Sequence, residues 1–295
     1  MTMAPKWNCV LEAKAQVGEC PIYAHEQHAV YWVDAYAPSI NCLDLRTGAN
    51  RSWKLPRTIG SYGLAADLRS CVAALADGLY RVDFASGALT KLHNAPYDVK
   101  HYRFNDGRVD RAGRFWVGTL RRFSSQEPEG RGAFWRMEGE RLVRAIDGVT
   151  IANGIAWSPD DRTMYIADRP NWQILAFDFD IANGAVSNRR TFARVPEGII
   201  PDGAAVDEEG CYWVAHPRAG KVVRYGPGGD LLREIPTPVS CPTMVAFGGE
   251  SLKTLFITSA RALLTGPGEL DREPQAGAIF SLEVEARGVT EPRLK

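Results

Sequence analysis

Six oxygen-bearing side chains recur at near-regular intervals, each at or near the head of a short apolar run: Glu19, Tyr62, Asn105, Asn153, Asp202 and Thr243. Glu19 leads into Cys-Pro-Ile-Tyr, Asn105 into Asp-Gly-Arg-Val, Asn153 into Gly-Ile-Ala-Trp and Asp202 into Gly-Ala-Ala-Val. Asn-Gly and Asp-Gly are common turn dipeptides. That explains single instances but not Glu19 ahead of Cys20-Pro21. Brought to one point, two carboxylates among amide and hydroxyl oxygens would repel each other unless a cation lay between them. Glu19 and Asp202 together would neutralise a dication. All these donors are hard oxygens, while the five histidines are scattered and no Cys-x-x-Cys pair occurs. Such a set favours calcium, magnesium or manganese, with zinc or ferrous iron also possible.

The elements that would bring these residues together follow from the repeat. The runs between them are short, rich in β-branched and aromatic residues, and separated by Gly, Asp and Asn turns, the pattern of an all-β chain. The six leads are spaced 43, 43, 48, 49 and 41 residues apart. Each unit reads as four strands, and that period is the blade of a β-propeller. A lone four-stranded sheet of this length cannot bury both faces, which argues against tandem small domains. The expectation is one six-bladed β-propeller over residues 1–295. The last unit has no obvious fourth strand, and the run Trp7–Lys14 has no unit of its own. It is expected to complete the sixth blade and close the ring, removing two free sheet edges. The first strand of each blade lines the channel, so the six leads should meet at one mouth.

Composition narrows the function. Among 295 residues, 35 basic and 35 acidic side chains balance. No basic stripe is visible, so nucleic acid is not an expected partner. No apolar run approaches the roughly 18 residues of a membrane span. The N-terminal Met-Thr-Met-Ala-Pro-Lys-Trp lacks the apolar core of a signal peptide, and a cytoplasmic location is expected. Cys42, Cys71 and Cys211 sit in apolar strand-like runs and read as buried reduced thiols. No strong dimerisation element is visible, so a monomer or weak homo-oligomer is expected. Gly-x-Ser-x-Gly and Gly-x-x-x-x-Gly-Lys are both absent, which disfavours a serine hydrolase or a nucleotide enzyme.

Several segments, in order, resemble the senescence marker protein (regucalcin)/gluconolactonase family. They are Gly-Glu19-Cys20-Pro21 with the following YWVD, RFNDGRVDRAGRFWVGT at 103–119, NGIAWSPDDRTMYIADRP at 153–170, PDGAAVDEEGCYWVAHP at 201–217, and PTMVAFGG with LFITSA at 242–260. The resemblance implies a six-bladed propeller with one divalent metal in the channel, and hydrolysis of sugar lactones. It implies Glu19, Asn153 and Asp202 as metal ligands, Arg103 and Asn105 as substrate contacts, and Asp202 as general base. The expected chemistry is a dication that polarises the lactone carbonyl and acidifies water, with Asp202 removing the proton. Tyr62 and Thr243 would shape the pocket at the same level.

One departure stands out. The family carries acidic residues shortly after the Gly-Thr of the third blade, whereas here Leu120, Arg121, Arg122 and Phe123 follow Gly118-Thr119. Arg121 is expected to face the substrate, or else both arginines decorate a solvated loop. Selectivity is expected to lie in the loops at 121–132 and 169–172. Two other functions share these residues. One is a non-catalytic calcium-binding propeller, since fold alone does not fix function; the other is a promiscuous ester or organophosphate hydrolase at the same metal.

Overall fold

The computed structural model describes residues 5–126, 132–139 and 141–295. These residues form six four-stranded antiparallel sheets. The first strands are Gly18–Ala24, Ile59–Leu64, Tyr102–Val109, Ala152–Trp157, Ala204–Val206 and Pro242–Gly248. Each packs against the first strand of the next blade, and the last returns to the first. The expected six-bladed propeller is what forms. No helix among the described residues is long and apolar enough to cross a membrane.

The second strands show why the blades stack. Ala29–Asp34 (AVYWVD), Thr163–Asp168 (TMYIAD) and Thr254–Ser259 (TLFITS) are buried along almost their whole length. Both faces of an inner strand meet a neighbouring blade, so alternation gives way to a continuous β-branched and aromatic run. The outermost strands are half-exposed and charged, as in Asn50–Lys54 and Ala185–Arg194, which blunts free edges.

The N-terminal segment completes blade six, over a shorter span than the sequence suggested. Asn8–Leu11 pairs antiparallel with Ile279–Glu283, and Trp7 donates its indole N–H to the Pro236 carbonyl of blade five at 2.8 Å. It pairs on one side only, so an outer edge remains on each blade.

Blades three and five carry a shared internal device. In VDRAGRFW and VDEEGCYW, a buried Asp closes the turn and accepts the indole N–H six residues on. Asp110 holds Trp116, and Asp207 holds Trp213, each at 2.8 Å. An arginine on the third strand stacks over each indole, Arg136 on Trp116 and Arg224 on Trp213. Asp207 also accepts from the Cys211 N–H at 2.9 Å and from Arg224 at 2.7 Å. Removing Asp207 strands the buried Trp213 indole donor and two turn N–H groups, while Arg224 keeps its bond to Glu209. Asp207→Ala is therefore expected to cost about 1–3 kcal/mol in a denaturant titration, and Asp207→Asn distinctly less, because it keeps an acceptor.

Candidate active site

The channel mouth is built by interruptions in the first strands. In blade one Glu19 pairs with Val33 and Ile22 with Tyr31, so three steps on one strand match two on the other. The bulge falls at Cys20-Pro21. Cys20 adopts a left-handed φ of 49°, and Pro21 has no N–H to leave unpaired. Blade four repeats this between Asn153 and Ala156, with Gly154 at φ 62°. Blade three does so between Phe104 and Gly107, and both residues of that bulge, Asn105 and Asp106, reach the channel.

Together the bulges line a cavity of about 300 Å³. Glu19, Arg103, Asn105, Asn153, Asp202 and Thr243, expected from five different blades, all border it. A hydrogen-bonded chain orders part of the wall. Arg103 Nη1 donates to the Asn105 Oδ1 at 2.9 Å, and Asn105 Nδ2 donates to the Asn153 Oδ1 at 2.7 Å and to the Ala152 carbonyl at 2.8 Å. Thr243 gives its hydroxyl to the Gly18 carbonyl, next to Glu19, and exchanges a bond with Thr258 at 2.9 Å. It thus ties blade six to blade one. Buried Asp34 accepts backbone N–H bonds from Gln16, Val17, Tyr36 and Ala37, fixing the turn that presents Tyr36 to the cavity.

Asp106 was not singled out from the sequence. It borders the cavity, is buried, and has one oxygen, Oδ1, with no hydrogen-bond partner among the described residues; the other accepts the Ile155 N–H at 3.2 Å. Its only signal was its place inside Asn-Asp-Gly, which reads equally well as a turn.

Three carboxyl groups here are pushed above their ordinary range. Burial lifts Glu19 well up, and the charges of Asp202 and Asp106 lift it further. Asp202 rises to about 7 through burial and Asp106, against the pull of Arg169 and Arg103. Asp106 rises to about 6 through burial, opposed by Arg108 and by backbone N–H groups. An all-oxygen donor set, mutual repulsion and an unsatisfied carboxylate oxygen fit a hard divalent cation.

Two expected site residues are elsewhere. Tyr62 is fully buried in the apolar cluster that includes Tyr31, Ile59 and Leu64. The interruption in blade two starts at Ile59, so Tyr62 holds the register position that Ile22 holds in blade one. The cavity residue of blade two is Gly60. A Cβ there would come within 2.6 Å of the Phe104 and Asn105 backbone, so this blade contributes only main chain. Arg121 donates to the Ser125 carbonyl at 2.8 Å, and Arg122 to the Val99 carbonyl at 2.9 Å. Successive strand residues face opposite ways; Leu120 faces the cavity, followed by Phe123, and Arg121 turns away. Residues 127–131 of that loop lie outside the described residues.

Among the described residues, one trio of acidic and thiol groups has ligand atoms all within 4.8 Å: Asp207, Glu209 and Cys211. Its central carboxylate is already spent on Trp213, Arg224 and turn N–H groups. The channel carboxylates are spread wider than that trio.

Fold and lining together define a six-bladed β-propeller whose channel mouth gathers carboxylates, amides and guanidinium groups. Residues 17–261 match the SMP-30/Gluconolactonase/LRE-like region, and the chain belongs to that family. It is 38% identical to 6-deoxy-6-sulfogluconolactonase of Pseudomonas putida over 288 residues, covering 96% of this chain and 97% of the relative. It is 31% identical to Homo sapiens regucalcin over 282 residues, 94% of each chain. A solved structure of regucalcin from Agrobacterium tumefaciens, described as a calcium-binding protein, superimposes with a TM-score of 0.93 at 26% identity, covering 99% and 98% of the two chains.

Asp202 and Asp106 have folded values above their unfolded ones, so in metal-free protein their stability contribution is complete below about pH 4 and lost as pH rises through 6 and 7. The melting temperature in chelator should fall from pH 5 to pH 8. Asp106→Asn removes one buried charge and should raise metal-free stability at pH 8 by roughly 3 kcal/mol or less, with little change at pH 4. A flat profile in wild-type protein would contradict the electrostatic reading.

Proposed function

We propose that this protein is a divalent-metal-dependent sugar lactonase that opens an aldonolactone to the free acid. The observation that carries the reading is the group of carboxylates at the channel mouth, including an Asp106 oxygen without a hydrogen-bond partner among the described residues, bordering the same cavity as Arg103 and Asn105. Membership of the gluconolactonase family supports sugar lactone hydrolysis in general.

Glu19, Asn153 and Asp202 would hold the cation, one of calcium, zinc, magnesium, manganese or ferrous iron. That ion supplies Lewis acidity toward a carbonyl oxygen and toward water. The chain's own residues do the rest. Arg103 is already braced against Asn105 and the Phe104 carbonyl, so its remaining donors can fix the lactone without reorganisation. Asn105 holds the Asn153 amide in one orientation and sets the edge of the ring site. An Asp202 carboxylate oxygen accepts the proton of the attacking water. Water adds to the carbonyl carbon, the bond from that carbon to the ring oxygen breaks, and the proton passes to the ring oxygen as it leaves as a hydroxyl. A carboxylate that also holds a cation is a weak base, so the Lewis acidity of the ion would supply much of the driving force for this proton transfer. Leu120, Ile151 and Ile200 on the walls limit water near the reacting bond.

The test is acid release, read by pH indicator, from a panel of five- and six-membered aldonolactones with each of the five cations. Chelator should abolish turnover and added cation restore it. Asp202→Asn should lower kcat by about 10²–10⁴, while Asn105→Ala acts more on KM. The alternative, a calcium-binding propeller without catalysis, draws on the description of the Agrobacterium relative. It would prevail if the ion bound and no lactone were opened with any cation.

A further inference from the structure

Three guanidinium groups border the cavity, and they are not equivalent. Arg218 is neutralised by Glu269 through two bonds of 2.9 and 3.0 Å. Arg103 has no carboxylate partner among the described residues, but it is held by Asn105 and the Phe104 carbonyl and lies 5.8 Å from the Tyr36 ring. Arg169 differs from both. It opens the short turn Arg169–Asn171 that follows the second strand of blade four. Its side chain borders the cavity; its charge acts on Asp202 from a distance, but no direct hydrogen bond or ion pair holds it among the described residues. The adjacent carboxylate, Asp168, is committed elsewhere: it accepts from Asn171 and Gln173, each at 2.9 Å, and pairs with Arg189 at 3.7 Å.

An arginine offers five donors in a planar fork. Left unspent at a half-buried cavity wall, it is a cost that a ligand can remove. The charge balance points the same way. Glu19, Asp106 and Asp202 bring three negative charges; Arg103, Arg169 and the proposed dication bring four positive ones. A neutral ligand leaves one positive charge uncompensated. Part of the remaining wall sharpens the contrast: Leu120, Ile151 and Ile200 have no side-chain partner for the hydroxyls of a neutral sugar tail, which leaves those hydroxyls to Tyr36, Thr243 and Thr265.

We infer that Arg169 is a specificity-determining residue and that the cavity takes a lactone bearing an anionic substituent remote from the ring carbonyl: a sulfonate, a phosphate or a carboxylate. The substituent sits on the Arg169 fork while the ring lies between Arg103 and the carboxylates. A sulfonate or phosphate presents three oxygens to the fork and a carboxylate presents two, so both geometries can be served bidentately. This inference rests on the lactonase reading above.

The experiment compares glucono-1,5-lactone with gluconolactones carrying a 6-sulfonate, a 6-phosphate or a 6-carboxylate. It uses the full chain with its activating cation, as wild type, Arg169→Gln and Arg169→Lys. Wild type should favour at least one anionic lactone over the neutral one by tenfold or more in kcat/KM. Arg169→Gln should collapse that preference by about 10- to 100-fold, chiefly through KM, and Arg169→Lys should recover part of it. Calorimetric binding of the three open-chain anionic acids supplies a readout independent of turnover, and Arg169→Gln should weaken it by a similar factor with the fold unchanged by circular dichroism. The three substituents identify which anion the fork prefers. Equal efficiency on neutral and all anionic lactones, or an undiminished preference in Arg169→Gln, would overturn the inference and leave the lactonase reading intact. If no lactone were opened, the lactonase reading would fail, and the calorimetry would still judge Arg169. Acids bound equally by wild type and Arg169→Gln, or not bound at all, would sink its role.

Discussion

The repulsion among Glu19, Asp106 and Asp202 is the constraint on which the rest of this structure turns. Three carboxyl groups in one poorly solvated channel cannot all ionise near neutral pH without compensation: burial raises all three, and neighbouring carboxylates raise Glu19 and Asp202 further. Such a cluster survives only if the scaffold holds it rigidly, since any flexible wall would relax and let the groups part. A ring of six sheets provides that rigidity. Each charged group comes from a different blade, and no one blade can move outward without unpacking from both neighbours.

The same chemistry is silent where partners are supplied. Asp110 and Asp207 are buried as Asp106 is, yet every oxygen has work to do: an indole, a guanidinium and turn N–H groups surround them. These aspartates stabilise blades. Asp106 accepts one hydrogen bond of ordinary geometry, from the Ile155 N–H at 3.2 Å, with the Gly107 and Gly154 N–H groups nearby, and its second oxygen has no partner among the described residues. Burial alone does not distinguish a structural carboxylate from a functional one; the count of satisfied lone pairs does.

Much of this was legible in the sequence because a repeat converts chain distance into angular position. A period of 41 to 49 residues puts Glu19, Asn153 and Asp202 at one level although they are far apart along the chain. What failed was local register. A bulge adds one residue to a strand and reverses which side chains face the channel, and nothing in Ile-Gly-Ser-Tyr-Gly-Leu marks where it falls. Tyr62 was therefore placed in the channel when Gly60 stands there, the one residue small enough for blade two to approach blade three. The bulge in Asn-Asp-Gly likewise turns two consecutive residues inward, which strand alternation forbids, so Asp106 stayed hidden behind Asn105. Arg121 failed for the complementary reason: alternation holds there, and Leu120 took the inward face.

That exchange at Leu120 bears on what the cavity can recognise. Acidic side chains after the Gly-Thr of blade three would supply acceptors for sugar hydroxyls, and the wall here has an aliphatic and an aromatic group in their place. Loss of acceptors alone would weaken binding of any polyol. Taken with a guanidinium whose donors are unspent, it redistributes recognition from many neutral hydrogen bonds to a few charge-assisted ones, which are individually stronger and more directional. A site built this way gains its discrimination from charge and needs less from hydroxyl stereochemistry. The aliphatic part of the wall favours this, since lower polarity in the cavity strengthens a charge-assisted bond and raises the penalty for a ligand that leaves the guanidinium without a partner.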